Sequence, residues 1–79
     1  MNHQSIASGP WNDEEHERML EGFRLYGKDI NEVVKHVGTR VKSSVVTRAY
    51  NLKLALRKDA SLPGADILRI IDSKYEINE

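Results

Sequence analysis

The chain has 79 residues, 39% hydrophobic and 30% charged, with formal net charge zero and no cysteine. That length allows one small domain with a thin margin of stability. The composition excludes disulfides and thiolate zinc sites, and no apolar run approaches the roughly 18 residues of a membrane span.

Residues 1–8 read as a flexible, polar lead, without the apolar stretch of a signal peptide, and the expectation is an intracellular protein. After Gly9-Pro10, Asn12 reads as an N-cap and Glu15, three residues later, as the other half of a capping box. Met19, Leu20, Phe23 and Tyr26 follow at helical spacing, and Gly27 suits a left-handed C-terminal cap, so the first helix spans about 13–26. Asp29 and Glu32 repeat the box, and Ile30, Val33, Val34 and Val37 form the next stripe before Gly38. The valines allow a strand, but two caps and 3–4 spacing favour a helix at about 30–37. Thr39 to Lys42 reads as a turn, with Ser43 capping a third helix at about 44–58. Its core stripe is Val45, Ala49, Leu52 and Leu56. A linker with Pro63-Gly64 leads to a fourth amphipathic helix, Ala65 to Tyr75, carrying Ile67, Leu68, Ile70 and Ile71.

Trp11, Ile30 and Ala49 are separated by eighteen residues each, which is how three helices mark their meeting points in one core. Slipping the third register by one would put Tyr50 in that slot; the stripe and the equal spacing point to Ala49. The expected organisation is all-α: a three-helix, helix-turn-helix domain over residues 9–60, then a linker and helix over 61–79.

The zero charge conceals an uneven distribution. Residues 1–34 hold three basic and seven acidic groups, 35–58 hold seven basic and no acidic groups, and 59–79 hold two basic and five acidic groups. Exposed charges act mainly within a Debye length of about 10 Å, so a local basic stretch can attract phosphate from a neutral chain.

The segment from Gly9 to about Lys58 resembles the Myb/SANT family. The residues that carry the resemblance are Trp11 to His16, the run from Glu21 to Ile30, and Val37-Gly-Thr-Arg40. Val45-Val-Thr-Arg-Ala49 is similar to the branch with alanine in place of the third tryptophan. Ile30 stands for the usual second tryptophan, Val41 stands where a threonine often caps helix three, and the Tyr50 to Lys53 ending departs from that branch. The resemblance implies a homeodomain-like three-helix bundle whose third helix enters the DNA major groove, as in nuclear transcription or chromatin regulators. SANT members of the family instead imply binding of histone tails or chromatin-complex subunits.

On the third helix, Ser43, Thr47 and Asn51 point away from the core stripe, together with Leu54 and Lys58. Asn suits adenine through paired bonds, and Thr can meet a base edge or a thymine methyl, so Ser43, Thr47 and Asn51 are the base-contact candidates. Arg40, Lys42, Lys53, Arg57 and Lys58 are the phosphate-contact candidates; the bland alternative is a solvated basic helix face.

Val46, Tyr50 and Leu54 form a second apolar stripe. Either the fourth helix folds back on it, or, with Ile67 and Ile71, it is a partner or dimer surface. Glu14, Glu15, Glu17 and Glu21 read as a dipole-complementing solvated face or as a site for a basic tail. His16 and His36 lack paired ligand spacing and read as ordinary histidines, so no metal or cofactor is expected. There is no Gly-rich phosphate loop and no nucleophile–base set, which reads as a non-enzyme. Expected partners are double-stranded DNA, a histone tail or chromatin subunit, and a second copy or second DNA-binding unit.

Overall fold

The computed structural model describes residue 7 and residues 9–74, without the side chains of 73 and 74. His3 of the lead and Tyr75 of the fourth segment lie outside the described residues. Within them the protein is all-helical: α1 (Asp13–Tyr26), α2 (Ile30–Val37), α3 (Lys42–Lys58), a 3₁₀ turn (Ala65–Ile67) and α4 (Leu68–Lys74). α1 packs along α2, α2 meets α3 through the helix-turn-helix, and α4 lies against α3.

Local chemistry sets the helix ends. Asn12 Oδ1 accepts from the Glu15 amide at 2.7 Å, and Glu15 Oε1 accepts from the Asn12 amide at 3.0 Å, a complete capping box. Gly27 closes α1 with φ 60 and ψ −124, a positive φ but outside the left-handed well expected there. At α2 the box is half-formed. Asp29 Oδ1 accepts from the Glu32 amide at 3.4 Å, while the Glu32 carboxylate lies 3.2 Å from Lys35 Nζ. α3 begins two residues earlier than expected: Val41 is the N-cap, no side chain caps it, and Ser43 lies within the first turn. The fourth segment opens as a 3₁₀ turn and becomes α-helical at Leu68.

The core gathers Met19, Leu20 and Phe23 of α1, Ile30, Val33 and Val37 of α2, and Val45, Ala49, Leu52 and Leu56 of α3. Ile67 and Ile71 complete it, both fully buried. Ala49 is fully buried and Tyr50 only half-buried, so the third slot belongs to Ala49. Trp11 differs from its two sequence partners: it packs on the core from the edge and is partly exposed. At Gly22 an added Cβ would stand 3.1 Å from Val33 Cγ1 and 3.3 Å from its Cα, so glycine sets how closely α1 and α2 approach. Gly64, at φ 103, would drive a Cβ to 3.0 Å from Leu20 Cδ2 and 3.3 Å from Leu52 Cδ2 as the chain turns back onto the bundle.

Two surface ion pairs hold the returning segment. Arg24 Nε and Nη2 meet the Asp66 carboxylate at 2.6 and 3.2 Å, and Arg57 Nη2 meets Asp72 Oδ1 at 2.5 Å. Ile67 and Ile71 therefore belong to this molecule's own core. Their assignment to a partner or dimer surface is corrected, because neither retains accessible area. Val46 packs against the same core and Tyr50 is half-buried; of the second stripe, Leu54 is 38% exposed.

Candidate nucleic-acid interface

α3 carries no acidic residue over its 17 positions, and Ser43, Thr47 and Asn51 stand exposed on one of its faces at four-residue steps. With Trp11, Ser44 and Arg48 they line a shallow, open depression. Lys42 and Lys58, near the two ends of the helix, are exposed. Neither has an ion-pair partner among the described residues.

Two phosphate-contact candidates lie elsewhere. Arg40 is 5% exposed, and all five of its N–H donors are used inside the protein. Nε donates to Glu15 Oε2 at 3.0 Å, and Nη1 donates to the carbonyls of Ala7 and Gly9 at 3.4 and 2.8 Å. Nη2 donates to the Pro10 carbonyl and to Glu15 Oε1, both at 2.8 Å. The carboxylate is matched in turn: besides Arg40, it accepts from the Asn12 amide at 3.0 Å and from Thr39 Oγ1 at 2.5 Å. The Arg40 and Thr39 bonds, chiefly, hold the Glu15 carboxyl down at about 2. Arg40 is a structural clasp joining the N-terminal strand of coil, the start of α1 and the helix-turn-helix, with no donor left for phosphate.

Lys53 is 2% exposed. It follows Ala49 by four residues and precedes Leu56 by three, which puts its stem on the buried side of α3. Its Nζ sits 4.9 Å from the centroid of the Tyr50 ring. Arg57 is exposed, but its guanidinium is paired with Asp72.

Arg48 is not among the contact candidates the sequence suggests, although it lies within the Val-Val-Thr-Arg-Ala run and precedes Asn51 by three residues. That spacing puts the two on neighbouring positions of one face. Its Nε donates to His16 Nδ1 at 3.2 Å, and its guanidinium carbon lies 5.1 Å from the Trp11 ring centroid. Trp11 Nε1 donates to Ser44 Oγ at 3.4 Å, and the Arg40 guanidinium carbon also lies over the indole, at 5.2 Å. Guanidinium has no acceptor, so His16 Nδ1 must be the acceptor and the ring neutral. Burial and, after it, the nearby Arg48 charge push the His16 pKa below its ordinary 6.5, against Glu17 and Asp13, which raise it.

The acidic set on α1 is also rearranged. Glu15 turns inward to Arg40, while Glu14, Glu17 and Glu21 line an open groove with Arg18, Arg24 and Leu25. Glu14 lies 3.9 Å from Arg18, and Glu21 lies 3.3 Å from His36 Nε2. Among the described residues, no three His, Asp or Glu side chains gather where a metal ion could sit, and no helix is long and apolar enough to cross a membrane.

This three-helix frame with its acid-free third helix corresponds to a known model. The Myb-like DNA-binding domain model matches residues 8–53. The chain belongs to the Myb-like DNA-binding domain family. Three Arabidopsis thaliana proteins are similar to it. Protein LHY is 32% identical over 62 residues, covering 78% of this chain and 10% of LHY. Protein REVEILLE 7-like and Protein REVEILLE 7 are each 32% identical over 57 residues, covering 70% of this chain and 17% and 15% of those proteins. The chain thus spans less than a fifth of the length of these relatives. No solved structure matches it. In this Myb-like domain the matched residues include α1, α2 and α3 as far as Lys53; the last turn of α3, the 3₁₀ turn and α4 lie beyond the match.

Proposed function

We propose that this Myb-like domain binds double-stranded DNA with α3 in the major groove, as part of a nuclear transcription or chromatin regulator, and that it binds rather than catalyses. Ser43, Thr47 and Asn51 face base edges. Lys42 and Lys58 neutralise phosphates at the two ends of the helix, and Arg57 joins them when it exchanges Asp72 for phosphate. The observation that carries this reading is the exposed Ser43–Thr47–Asn51 face on a helix without an acid, flanked by exposed lysines that have no ion-pair partner among the described residues. The alternative, a SANT-type module for histone tails or chromatin subunits, draws on the α1 acids, but the structure leaves that cluster weaker than its charge count. Glu15 is buried and paired, and Arg18 and Arg24 lie among the rest.

A fluorescence-anisotropy titration of the chain against random-sequence duplex at several salt concentrations tests this reading. Each neutralised phosphate contributes about −0.9 to the slope of log K against log salt. Lys42, Lys58 and Arg57 give a slope of about −2.7; all seven cations of residues 35–58 would give about −6. Salt-independent or absent DNA binding, with capture of a basic histone-tail peptide instead, would move the assignment to the alternative. So small a phosphate footprint makes a second DNA-binding unit, or a second copy of the chain, the natural source of tight site-specific binding.

A further inference from the structure

Arg48 differs from the other cations on and beside α3 in what holds it. Arg40 spends every donor internally, Arg57 is tied to a carboxylate, and Lys42 and Lys58 are exposed near the helix ends. Arg48 is fixed by neutral groups. The indole of Trp11 supports its guanidinium at 5.1 Å, and His16 Nδ1 accepts the hydrogen bond from its Nε at 3.2 Å. Trp11 is itself anchored through Ser44, and His16 belongs to α1, so the support comes from three parts of the fold.

The consequence lies at the other end of the side chain. Nη1 and Nη2, with four N–H donors, meet no acceptor among the described residues. No carboxylate among the described residues compensates the charge. Arg48 lines the same depression as Ser43, Thr47 and Asn51, midway along α3 and not at its phosphate-facing ends. A planar fork whose rotamer is already fixed loses little entropy on making two parallel bonds. The acceptor pair that fits such a fork in the major groove is O6 and N7 of guanine.

We infer that Arg48, held by Trp11 and His16, is a preorganised guanine reader and fixes a G·C pair beside the positions faced by Thr47 and Asn51. The inference rests on the DNA-binding reading above and adds the residue that sets specificity and the base it takes. Phosphate oxygens offer a fork the same acceptor chemistry, so the experiment must separate the two.

A randomised duplex pool is selected with the wild-type chain and, in parallel, with Arg48→Lys, which keeps charge and stem but loses the fork. Melting temperatures of the variants are recorded alongside. The wild-type selection is expected to enrich an invariant guanine, and replacing that base by 7-deazaguanine, which lacks N7, to weaken wild-type binding roughly 5- to 150-fold. Arg48→Lys, whose ammonium can still donate to N7 or O6 but not as a fixed planar fork, is expected to lose most of the preference at that pair and most of the sensitivity to 7-deazaguanine, and to bind random duplex within about twofold of wild type. Equal weakening of selected and random duplexes by Arg48→Lys would make Arg48 a phosphate contact and overturn the inference. A selected site whose guanines tolerate 7-deazaguanine would overturn it as well. Failure of the wild-type chain to bind any duplex would instead overturn the DNA-binding reading on which the inference stands.

Discussion

Replacing Ile71 by alanine tests whether the fourth helix is part of the domain's core or an appendage to it. Ile71 is fully buried in the cluster that also holds Leu52, Leu56 and Ile67. The substitution removes three carbons, a transfer loss of about 2.4 kcal/mol at roughly 0.8 kcal/mol for each. The space left behind adds a cavity cost that carries isoleucine-to-alanine changes to about 2–5 kcal/mol. In a domain of this size each kcal/mol moves the melting temperature by about 4–8 °C, so a fall of at least roughly 10 °C is expected. Thermal unfolding followed by circular dichroism at 222 nm reads it directly, with Leu25→Ala as the control. Leu25 is 58% exposed, and its truncation should stay within about 0.5 kcal/mol. A shift for Ile71→Ala no larger than that of the control would show that α4 does not contribute to the core, and the integration of the segment beyond the Myb match would be wrong.

Further outcomes follow from the charged groups. The Glu15 carboxyl titrates at about 2 in the folded chain against 4.5 ordinarily, so its contribution to stability is complete above pH 4.5 and is lost as pH falls from there through about 2. Urea midpoints of wild type and Glu15→Gln should differ most at pH 7 and converge toward pH 2; a constant gap would refute the pairing with Arg40. His16 accepts from Arg48 only while neutral, and its basicity is lowered mainly by burial and by Arg48, against Glu17 and Asp13. Affinity for a selected duplex should therefore fall as pH drops below 6.5, and His16→Gln should flatten that dependence; parallel pH profiles would dissociate His16 from Arg48. Asp72→Asn spares Arg57 the exchange and should raise affinity for random duplex, while Arg57→Ala should flatten the salt slope by about one unit. An unchanged slope would mean that Arg57 does not reach phosphate. Asn51→Ala should cost about 1–3 kcal/mol on the selected site and little on random DNA; an intact site preference would remove Asn51 from the reading face.

What could be read from the sequence follows from how local each signal is. The Asn12–Glu15 box, the stripes and the Ala49 register depend on neighbours within two turns, and they appear where the spacing puts them. The start of α3 was misplaced because Ser43 is a good cap residue, yet Val41 occupies the cap without a side-chain bond. Arg40 and Lys53 were misread for different reasons. Lys53 sits within the helical arc of the core stripe, so its burial was open to the wheel and was overridden by its charge. The fate of Arg40 depends on Glu15, 25 positions away, and on carbonyls of the N-terminal coil, partners that no periodicity reveals. Trp11 likewise looked like a core residue because of its size and spacing; its exposed edge, stacked by two guanidiniums, exists only once α1 and α3 are docked.

The seven cations between residues 35 and 58 show why a charge count overstates an electrostatic footprint. Lys35 faces Glu32, Arg40 is enclosed with Glu15, Lys53 is buried, and Arg57 is held by Asp72. Of the cations with accessible surface on α3, Lys42, Arg48 and Lys58 keep a charge that no carboxylate compensates within the described residues. Affinity that grows mainly from phosphate neutralisation falls steeply with salt and is blind to sequence. A third helix with three such accessible cations, one of them held rigidly amid Ser43, Thr47 and Asn51, should depend more on short-range base contacts that are lost when one pair is changed. Its discrimination between sites should then be large relative to its total affinity, the balance suited to a module whose binding strength is supplemented by a second unit on the same DNA.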